Sequence, residues 1–535
     1  MGVDPVGRPA ADPTMTGLSR RGFLGLLGAA GAGVALAGCG IGSSPGQTGE
    51  QLASALPLPD AFRVPLPVPP VARPVGTDPS GADLYRVTQR VADLEILPGV
   101  RTPVLGYDGI YPGPTFDTRR GRPVVVLHRN ELPVPTVVHL HGGHTPAESD
   151  GWPLDLLLPV GNTAIWASHH GMVGDLAAGE RSYRYPTDQR AATLWYHDHR
   201  MDFTGPSVYR GLAGFHLVRD DVEDALPLPR GERELPLMIC DRAFAADGSF
   251  AYPGLDQGMR SVPGVEDDWM EGVLGDVVLV NGAPWPVHEV DAARYRLRLL
   301  NASNARRYRL LLQVPGAPDL PLVQVGSDNG LLAAPVTHQV LEIAPGERFD
   351  VVVDFGALPI GTEVTMVNPL GTGRTTDVMR FRVVRTAKDD SRVPDRLADV
   401  EQLVPAPGAT RRTFRFTRGP VGDHRGWTIN GTSFDPQQSL ADIPLGEIEV
   451  WRFVTDVHHP VHVHLDGFQV LRRGIAVPGP YDVGWKDTVD IRPAEIVEVA
   501  VRFTDHAGRF VFHCHNLEHE DMAMMATIRT VDSAL

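Results

Sequence analysis

The chain has 535 residues, of which 42% are hydrophobic and 21% are charged, and this composition is typical of a soluble globular protein. A single hydrophobic core is excluded at this length, because chains longer than about 250–300 residues divide into domains. The 49 basic and 65 acidic residues give a net charge of −16, which argues against nucleic acid and anionic surfaces as partners.

The N-terminal residues predict an export signal. Ser19-Arg-Arg-Gly-Phe-Leu24 is a twin-arginine motif, and the apolar stretch that follows is shorter than the roughly 20 residues of a membrane-spanning helix. Leu36-Ala-Gly-Cys39 then resembles the lipobox of bacterial lipoproteins. We therefore expect a signal peptide over residues 1–38, export by the twin-arginine route, and a lipid anchor on Cys39 in the cell envelope, at the outer face of the cytoplasmic membrane. The alternative is an uncleaved anchor in which Cys39 is incidental.

The rest of the chain predicts a tether followed by an all-β protein. Residues 39–80 are rich in Ser, Gly, Pro and Ala, which indicates a flexible tether. From Leu84 onward, short apolar-alternating runs such as residues 124–128 and 348–353 are separated by Pro, Gly and Asp turns. This pattern is typical of all-β sandwiches or barrels.

Two turns rich in Asp and Pro, near residues 220–230 and 388–405, indicate domain boundaries. The expected domains are therefore residues 81–222, 223–400 and 401–535. Each is long enough to enclose its own hydrophobic core.

Two His-x-His pairs occur in the first expected domain, His139-Leu-His141 and His197-Asp-His199. Both are flanked by strand-like residues, and side chains two apart on a strand share a face. Each pair therefore presents two imidazoles to the same side. One such pair alone is weak evidence for a metal site.

The third expected domain contains His459-Pro-Val-His462-Val-His464. His462 and His464 share a face by the same rule, whereas His459 lies at an odd spacing and can point elsewhere. His458 precedes this run, but the spacing to Pro460 favours His459 as the metal ligand.

The most informative segment lies near the C-terminus and contains His513, Cys514, His515, His519 and Met524. A blue-copper centre combines a Cys thiolate, two imidazoles and a weak axial Met, because soft sulfur and imidazole ligands suit copper. If residues 511–515 form a strand, Cys514 faces one way, while His513 and His515 face the other. One covalent segment would then join two metal sites.

The four His-x-His pairs, His459 and His519 together supply ten imidazoles, enough for a three-metal cluster and a blue-copper centre. In order and spacing, these motifs resemble those of the multicopper oxidases, specifically the three-domain laccase-like branch with bacterial spore-coat laccase, bilirubin oxidase and phenoxazinone synthase. The stretches at residues 111–115, 194–199 and 211–215 are also similar. The resemblance covers residue 85 to the C-terminus, and it implies an all-β fold of three consecutive cupredoxin-like Greek-key domains.

The resemblance also implies four bound copper ions. The type 1 ion would be held by His459, Cys514, His519 and Met524, the type 2 ion by His139 and His462, and the two type 3 ions by His141, His197, His199, His464, His513 and His515. The middle domain would contribute no ligand. Met522 and Met525 are expected to be packing residues.

Two acids, Asp150 and Glu520, align with residues that similar laccases use to deliver protons to the cluster. The alternatives for each are a solvated surface acid and a carboxylate that orients a ligand imidazole. If Cys39 carries lipid and Cys514 binds copper, Cys240 has no partner. No disulfide is therefore expected, and Cys240 is expected in a buried strand.

The implied activity is one-electron oxidation of phenols, aromatic amines or bilirubin-like pigments, coupled to four-electron reduction of O2 to water. Electrons would enter through an exposed edge of His519, and the enzyme is expected to be a monomer. One alternative is oxidation of Cu(I) in copper tolerance, which the absence of a Met-rich insert disfavours. The other is a non-catalytic envelope scaffold of the cell-division type, which the complete ligand set disfavours.

Overall fold

The computed structural model describes residues 46–161, 174–421 and 424–532. The predicted signal peptide and Cys39 lie outside these residues. Within the described ranges, no helix is long and apolar enough to cross a membrane. The described residues belong to one compact unit whose regular secondary structure is almost entirely β-strand.

The first part of the chain forms two large sheets, and three of its short strands lie outside them. Its strands are β1 (Glu50–Gln51), β2 (Gly76–Thr77), β3 (Asp83–Glu95), β4 (Arg101–Tyr107), β5 (Gly113–Arg119), β6 (Val124–Asn130), β7 (Val138–His141), β8 (Leu156–Leu158), β9 (Leu176–Ala178), β10 (Glu180–Tyr185), β11 (Ala192–Asp198) and β12 (Ala213–Arg219). One sheet has the order β10-β6-β3-β2, with β4 also paired to β3, and the other has the order β5-β12-β11-β7. Both sheets contribute to one apolar core, and we call this pair the first sandwich.

The central part of the chain forms the middle sandwich. Its strands are β13 (Glu234–Phe244), β14 (Phe250–Ala251), β15 (Val273–Leu274), β16 (Val277–Val280), β17 (Ala283–Pro284), β18 (Val287–Ala292), β19 (Arg294–Asn301), β20 (Tyr308–Gln313), β21 (Leu322–Ser327), β22 (Gly330–His338), β23 (Leu341–Ile343), β24 (Arg348–Asp354), β25 (Glu363–Val367) and β26 (Asp377–Thr386). The larger sheet has the order β17-β16-β13-β19-β24-β21-β22, with β14 also paired to β13. The smaller sheet, β18-β26-β25-β20-β23, shares its core.

The last part of the chain forms the third sandwich. Its strands are β27 (Arg411–Val421), β28 (His424–Ile429), β29 (Ser439–Pro444), β30 (Glu449–Thr455), β31 (His459–Val463), β32 (Phe468–Arg473), β33 (Thr488–Ile491), β34 (Ile496–Val501), β35 (Gly508–Cys514) and β36 (Met525–Val531). The two sheets are β28-β27-β30-β34-β32 and β29-β36-β35-β31-β33. Their facing sides enclose a core rich in Phe, Trp and Val.

Helical structure in the described ranges is short. The helices are α1 (Thr204–Tyr209), α2 (Asp221–Ala225) and α3 (Leu517–Asp521), and the 3-10 turns are Ala147–Ser149, Gly231–Arg233, Asp267–Trp269 and Gly373–Thr376. Helix α3 follows β35 directly and carries His519. The predicted all-β fold class is confirmed, while the domain boundaries within the compact unit stay predictions.

The predicted flexible tether over residues 39–80 is wrong from residue 46 onward. The Glu50 amide donates to the Gly272 carbonyl at 2.9 Å, and strand β1 pairs with β15. Further along, the amides of Leu66 and Ala72 donate to strand carbonyls at 2.9 and 2.8 Å. A Pro-rich chain is already extended, so it can hydrogen bond to the edges of sheets without first losing a compact conformation.

Candidate metal centres

The four histidine pairs lie on two pairs of adjacent strands or directly after their last residues. In the first sandwich, β7 pairs with β11 and His139 lies opposite His197. In the third sandwich, β31 pairs with β35 and His462 lies opposite His513. Within each His-x-His pair, the ring centroids are 4.9–5.9 Å apart. The prediction that each pair shares a face is therefore confirmed.

The eight imidazoles converge on one buried volume between the first and third sandwiches. The Nε2 atoms of His139 and His462 are 3.4 Å apart, and the Nε2 atom of His513 lies 3.1 Å from that of His199 and 3.2 Å from that of His464. Imidazole nitrogens bind transition metals at about 2.0–2.1 Å, so ligands of one ion lie about 3–4 Å from each other. We call these eight residues the histidine cluster.

The protonation state of the histidine cluster suits metal ligands. Burial lowers the pKa of His139, His141, His464 and His515 well below the usual range. The rings are therefore neutral, which is the form that binds metal ions. His141 Nδ1, His197 Nε2 and both nitrogens of His515 are buried without a hydrogen-bond partner. Since buried polar atoms are nearly always paired, these atoms fit the positions of ligands.

One member of the cluster, His141, is oriented differently from the others. Its Nε2 atom lies 3.0 Å from Asp487 Oδ1 and 3.1 Å from Thr488 Oγ1, which leaves Nδ1 to face the cluster. Asp487 also accepts from His462, whose Nδ1–H donates to its backbone carbonyl at 2.9 Å. This one residue therefore orients rings from both the first and the third sandwich.

Asp487 is held in turn by side chains of the middle sandwich. Arg348 Nη1 donates to Asp487 Oδ1 at 2.7 Å, and Lys486 lies 3.2 Å from Asp328 and 3.1 Å from Glu347. All five are buried. Burial alone would raise the pKa of Asp487, but Arg348 and the neighbouring His141 hold it well below its usual range. We call this group the ionic network.

The sequence did not indicate the ionic network. Arg348 stands at the start of a strand, where an arginine is ordinarily exposed, and Asp328 follows a strand in a turn. The one available signal was the adjacent pair Lys486 and Asp487 before an apolar run. A local pattern does not distinguish such a pair from a solvated one, because burial depends on which sandwich packs over it.

The two predicted acids contact the histidine cluster directly. Asp150 Oδ2 accepts from His464 Nδ1 at 2.7 Å, and the Asp150 carbonyl accepts from His139 Nδ1 at 2.5 Å. Glu520 Oε2 lies 3.0 Å from His513 Nδ1. Asp150 is 2% exposed and Glu520 is 1% exposed, so the alternative of solvated surface acids does not hold.

A second group of metal-ligating atoms lies in the third sandwich. Cys514 Sγ is 3.3 Å from His459 Nδ1 and 3.6 Å from His519 Nδ1, and the two nitrogens are 3.2 Å apart. The Asn516 amide lies 3.4 Å from the sulfur and donates to it. Met524 is fully buried in the same core, and its carbonyl accepts from the Cys514 amide at 3.1 Å. We call His459, Cys514 and His519 the thiolate centre.

A single segment joins the two centres, as the strand parity predicted. Cys514 ends β35 within the core of the third sandwich, whereas His513 and His515 belong to the histidine cluster. The His515 ring centroid lies 5.0 Å from that of His141 in the first sandwich. One peptide unit on each side of Cys514 therefore connects the residue that bears the sulfur with an imidazole on the other side of the strand.

The expectation of an exposed His519 edge is wrong, because the ring is fully buried. Trp427 of β28 stacks on it with a centroid separation of 3.7 Å, and the Trp427 indole N–H donates to the Met270 carbonyl at 2.9 Å. Arg418 lies 5.8 Å from the Trp427 ring and 3.4 Å from Glu271. Two elements distant in sequence thus cover the thiolate centre.

Several residues outside the motifs are placed as predicted. His458 lies 3.2 Å from Arg307 Nη1, so it is held apart from the neighbouring ligand position. Met525 is buried in a small apolar cluster, and Cys240 lies in the buried strand β13. Among the described residues, Cys240 and Cys514 are both free thiols. Cys240 Sγ is 3.0 Å from the Tyr111 hydroxyl.

Comparison with known proteins agrees with this arrangement. A family model described as "Multicopper oxidase" matches residues 406–534, and a second with the same description matches residues 89–164 and 176–223. Laccase of Bacillus stratosphericus is 35% identical over 86% of this chain and 97% of its own length. The chain belongs to the multicopper oxidase family. Bilirubin oxidase of Albifimbria verrucaria is also 35% identical, over 89% of this chain and 82% of its own length.

The solved structure of a multicopper oxidase from Pediococcus acidilactici has a TM-score of 0.76 with this chain, at 30% identity, and covers 90% of this chain and 94% of that one. As a multicopper oxidase, the protein is a copper-binding oxidoreductase that couples oxidation of a substrate to reduction of O2. The predicted family, cupredoxin-like fold and enzyme class are confirmed. These comparisons favour an enzyme over a non-catalytic scaffold.

Proposed function

We propose that this multicopper oxidase is a laccase-type enzyme that oxidises phenols, aromatic amines or bilirubin-like pigments. The observation that carries the proposal is the direct covalent connection between the thiolate centre and the histidine cluster through His513-Cys514-His515. A donor on one side of β35 and O2 on the other can react without meeting. The similarity to laccase and bilirubin oxidase supports this donor class.

Four copper ions are proposed, and the geometry supports a division of the ligands. His459, Cys514 and His519, together with Met524, which is buried in the same core, would hold the type 1 ion. His139 and His462 would hold the type 2 ion. The type 3 ions would be held by His199, His464 and His513, and by His141, His197 and His515. When bound, the copper ions accept single electrons from the donor and deliver four of them to O2, which yields water.

The first type 3 set is supported by the nitrogen separations of 3.1 and 3.2 Å around His513. The second set is supported by Trp195, whose ring centroid lies 4.2 Å from that of His197, 5.1 Å from that of His141 and 5.5 Å from that of His515. Trp195 is fully buried and packs these three rings as a group.

The remaining residues of the site handle protons and charge. Reduction of O2 to water consumes protons, and we propose that Asp150 and Glu520 deliver them. Glu520 lies between the two sandwiches, 3.0 Å from His513 Nδ1 and 3.7 Å from His199 Nε2. Asp150 contacts two other members of the cluster: its Oδ2 accepts from His464 Nδ1, and its backbone carbonyl accepts from His139 Nδ1.

The donor would transfer its electrons across Trp427 rather than directly to a histidine edge. Trp427 separates His519 from the surface, and Arg418 and Glu271 flank it with 35% and 52% of their side chains exposed. Outer-sphere transfer needs only close approach, and since Trp427 is 1% exposed, the donor would approach at the exposed side chains of Arg418 and Glu271.

We also propose export by the twin-arginine route with a lipid anchor on Cys39. The support is the sequence of residues 19–39. Cys39→Ala should move the protein from the membrane fraction to the soluble envelope fraction.

The deciding experiment compares oxygen uptake with a phenolic donor and with Cu(I), at matched concentrations, by protein shown to hold copper. Rapid uptake with the phenol and slow uptake with Cu(I) is the expected result. The opposite result would replace the proposal by cuprous oxidation. Absence of uptake with either donor, in protein with four coppers per chain, would contradict both activities.

A further inference from the structure

A second group of metal-ligating side chains lies outside both centres. His144 and Asp188 come from loops of the first sandwich, and Asp466, Asp505 and His506 come from loops of the third sandwich. A cleft of about 350 Å³ opens beside them, lined in part by His144, Asp188 and Asp466. We call these five residues the cleft cluster, and it shares no residue with the proposed copper ligands.

The cleft cluster has the ligand separations of a coordination site. His144 Nε2 lies 2.9 Å from Asp505 Oδ1 and 3.8 Å from Asp466 Oδ1. His506 Nε2 lies 3.7 Å from Asp505 Oδ1, and the two imidazole centroids are 4.8 Å apart. Tetrahedral bonds of about 2.0–2.2 Å place neighbouring ligand atoms about 3.3–3.6 Å apart, so a bound ion would require the 2.9 Å contact to lengthen and the two longer contacts to shorten by a few tenths of an ångström.

A carboxylate orients one of these imidazoles from behind. His144 Nδ1–H donates to Asp188 Oδ1 at 2.9 Å, so the other nitrogen is directed at Asp505 and Asp466. Histidines that bind metals almost always donate their second nitrogen to a carboxylate or carbonyl in this way. Thr504 Oγ1 lies 3.2 Å from His144 Nε2 and adds one more oxygen to the group.

The second imidazole lacks a partner of its own. His506 Nε2 is buried and makes no hydrogen bond, although it faces the Asp505 carboxylate at 3.7 Å. Three carboxylates face His144, and their charges raise its pKa above the usual value although its burial would lower it. The neighbouring cation Arg502 is already paired with Glu401 at 2.8 Å. A metal ion bound here would therefore displace the proton that the raised pKa favours on His144, so binding should strengthen as the pH rises.

We propose that His144, Asp466, Asp505 and His506 bind a fifth metal ion, a divalent transition metal such as Zn²⁺ or Cu²⁺, and that Asp188 positions His144. Two imidazoles and two carboxylates suit these ions, whereas Ca²⁺ and Mg²⁺ prefer oxygen alone and Cu(I) prefers sulfur. The ion would link a loop of the first sandwich to two loops of the third. It would thereby stabilise the junction across which the histidine cluster is assembled.

The test uses copper-loaded full-length enzyme, dialysed against Zn²⁺ and analysed for zinc and copper per chain. We expect one zinc per chain in addition to the coppers, and no zinc in the double variant His144→Gln, His506→Gln. Asp188→Asn should weaken zinc binding by about 10- to 100-fold, as loss of an orienting carboxylate does. Asp399→Asn, which lines the same cleft outside the cleft cluster, is the matched control and should bind zinc normally.

If the cleft cluster is only a network of ion pairs, the wild-type enzyme will take up no zinc. Absence of zinc uptake by the wild-type enzyme would therefore overturn the proposal. Equal zinc uptake by the double variant would also overturn it, because the ion would then bind elsewhere. Copper content and oxygen uptake report separately on the oxidase, so failure of one proposal is distinguishable from failure of the other. If the double variant loses copper, Asp505→Asn is tested in its place, because the Asp505 side chain is 54% exposed and its replacement should not disturb folding. Unchanged zinc affinity in Asp505→Asn would contradict the proposed site.

Discussion

The thiolate centre and the histidine cluster are built in different ways. The proposed ligands of the thiolate centre all lie between His459 and Met524, within the third sandwich. The histidine cluster takes its ligands from four segments between His139 and His515, and its orientation depends on Arg348 of the middle sandwich. A local centre can form with its own domain, whereas a shared centre requires that separate domains first dock correctly.

This difference has an energetic basis. The thiolate centre lies in an apolar core, where packing positions the ligands together with the Asn516 amide on the sulfur and Asp456 at 3.0 Å from His459 Nε2. The histidine cluster lies beside buried charges, and a buried ion pair is costly when one partner is missing. Copper binding, docking of the sandwiches and completion of the ionic network are therefore expected to depend on each other at the histidine cluster.

The largest expected effect follows Cys514→Ser, because a hydroxyl does not replace a thiolate as a soft copper ligand. We predict complete loss of the blue absorption and of oxygen uptake with a phenolic donor, while the histidine cluster keeps its copper. Copper analysis per chain, together with visible absorption, measures both. Loss of all copper would show that the two centres do not load independently.

Arg348→Leu tests the shared centre. Removing this guanidinium leaves Asp487 buried without its partner, which typically costs about 3–5 kcal/mol of unfolding free energy. We predict loss of copper from the histidine cluster before loss of the blue absorption, measured in chemical denaturation of the copper-loaded enzyme. Arg382→Leu is the control, because its pair with Glu363 is partly exposed and should contribute under about 1 kcal/mol. Equal stability of the two variants would contradict the role of the ionic network.

Glu520→Gln separates proton delivery from orientation of a ligand. If Glu520 delivers protons, turnover should fall by about 100-fold or more at unchanged copper content and blue absorption. If it only orients His513, copper affinity should fall by about 10- to 100-fold, and fully loaded enzyme should turn over normally. Steady-state oxygen uptake at measured copper content distinguishes the two.

The smallest expected effect concerns the loop that docks the first sandwich on helix α3, where the Thr204 amide donates to Asp521 Oδ1 at 2.8 Å. Burial raises the pKa of Asp202 in this loop to about 6. A carboxyl whose pKa is raised on folding destabilises the folded protein when it is ionised. This loss of unfolding free energy is absent below about pH 4, where the group is protonated in both states, and complete above about pH 6. Asp202→Asn should thus stabilise the enzyme by about 1–2 kcal/mol at pH 7 and not at pH 3.5. Denaturation at both pH values measures this, and an equal gain at both would contradict the titration.

Much of the site was predictable because strand parity is a local property. The alternation of faces along β35 placed Cys514 on one side of the strand and its two histidine neighbours on the other. The same rule placed the rings of each His-x-His pair together. The all-β fold followed from short alternating runs and turn residues, since these reflect the two-residue period of a half-buried strand.

The predictions that failed concern contacts between distant segments. Residues 46–80 are rich in Pro and Ala, so their composition indicated a tether, yet strand edges of the sandwiches hold them. His519 was expected at the surface, but Trp427 and the loop with Met270 cover it. Glu50 and Leu66 meet partners more than 200 residues away in sequence, and His519 meets Trp427 from 92 residues away, so no local pattern reports these contacts.

The sequence by itself determined the ligand types, their spacing and the faces of the strands on which they lie. Only the tertiary structure decided that Asp487 turns the Nδ1 atom of His141 towards the cluster, that Arg348 supports it, and that His144 meets Asp505. The physical reason is that strand periodicity acts over a few residues, whereas burial and charge pairing depend on how whole sandwiches pack.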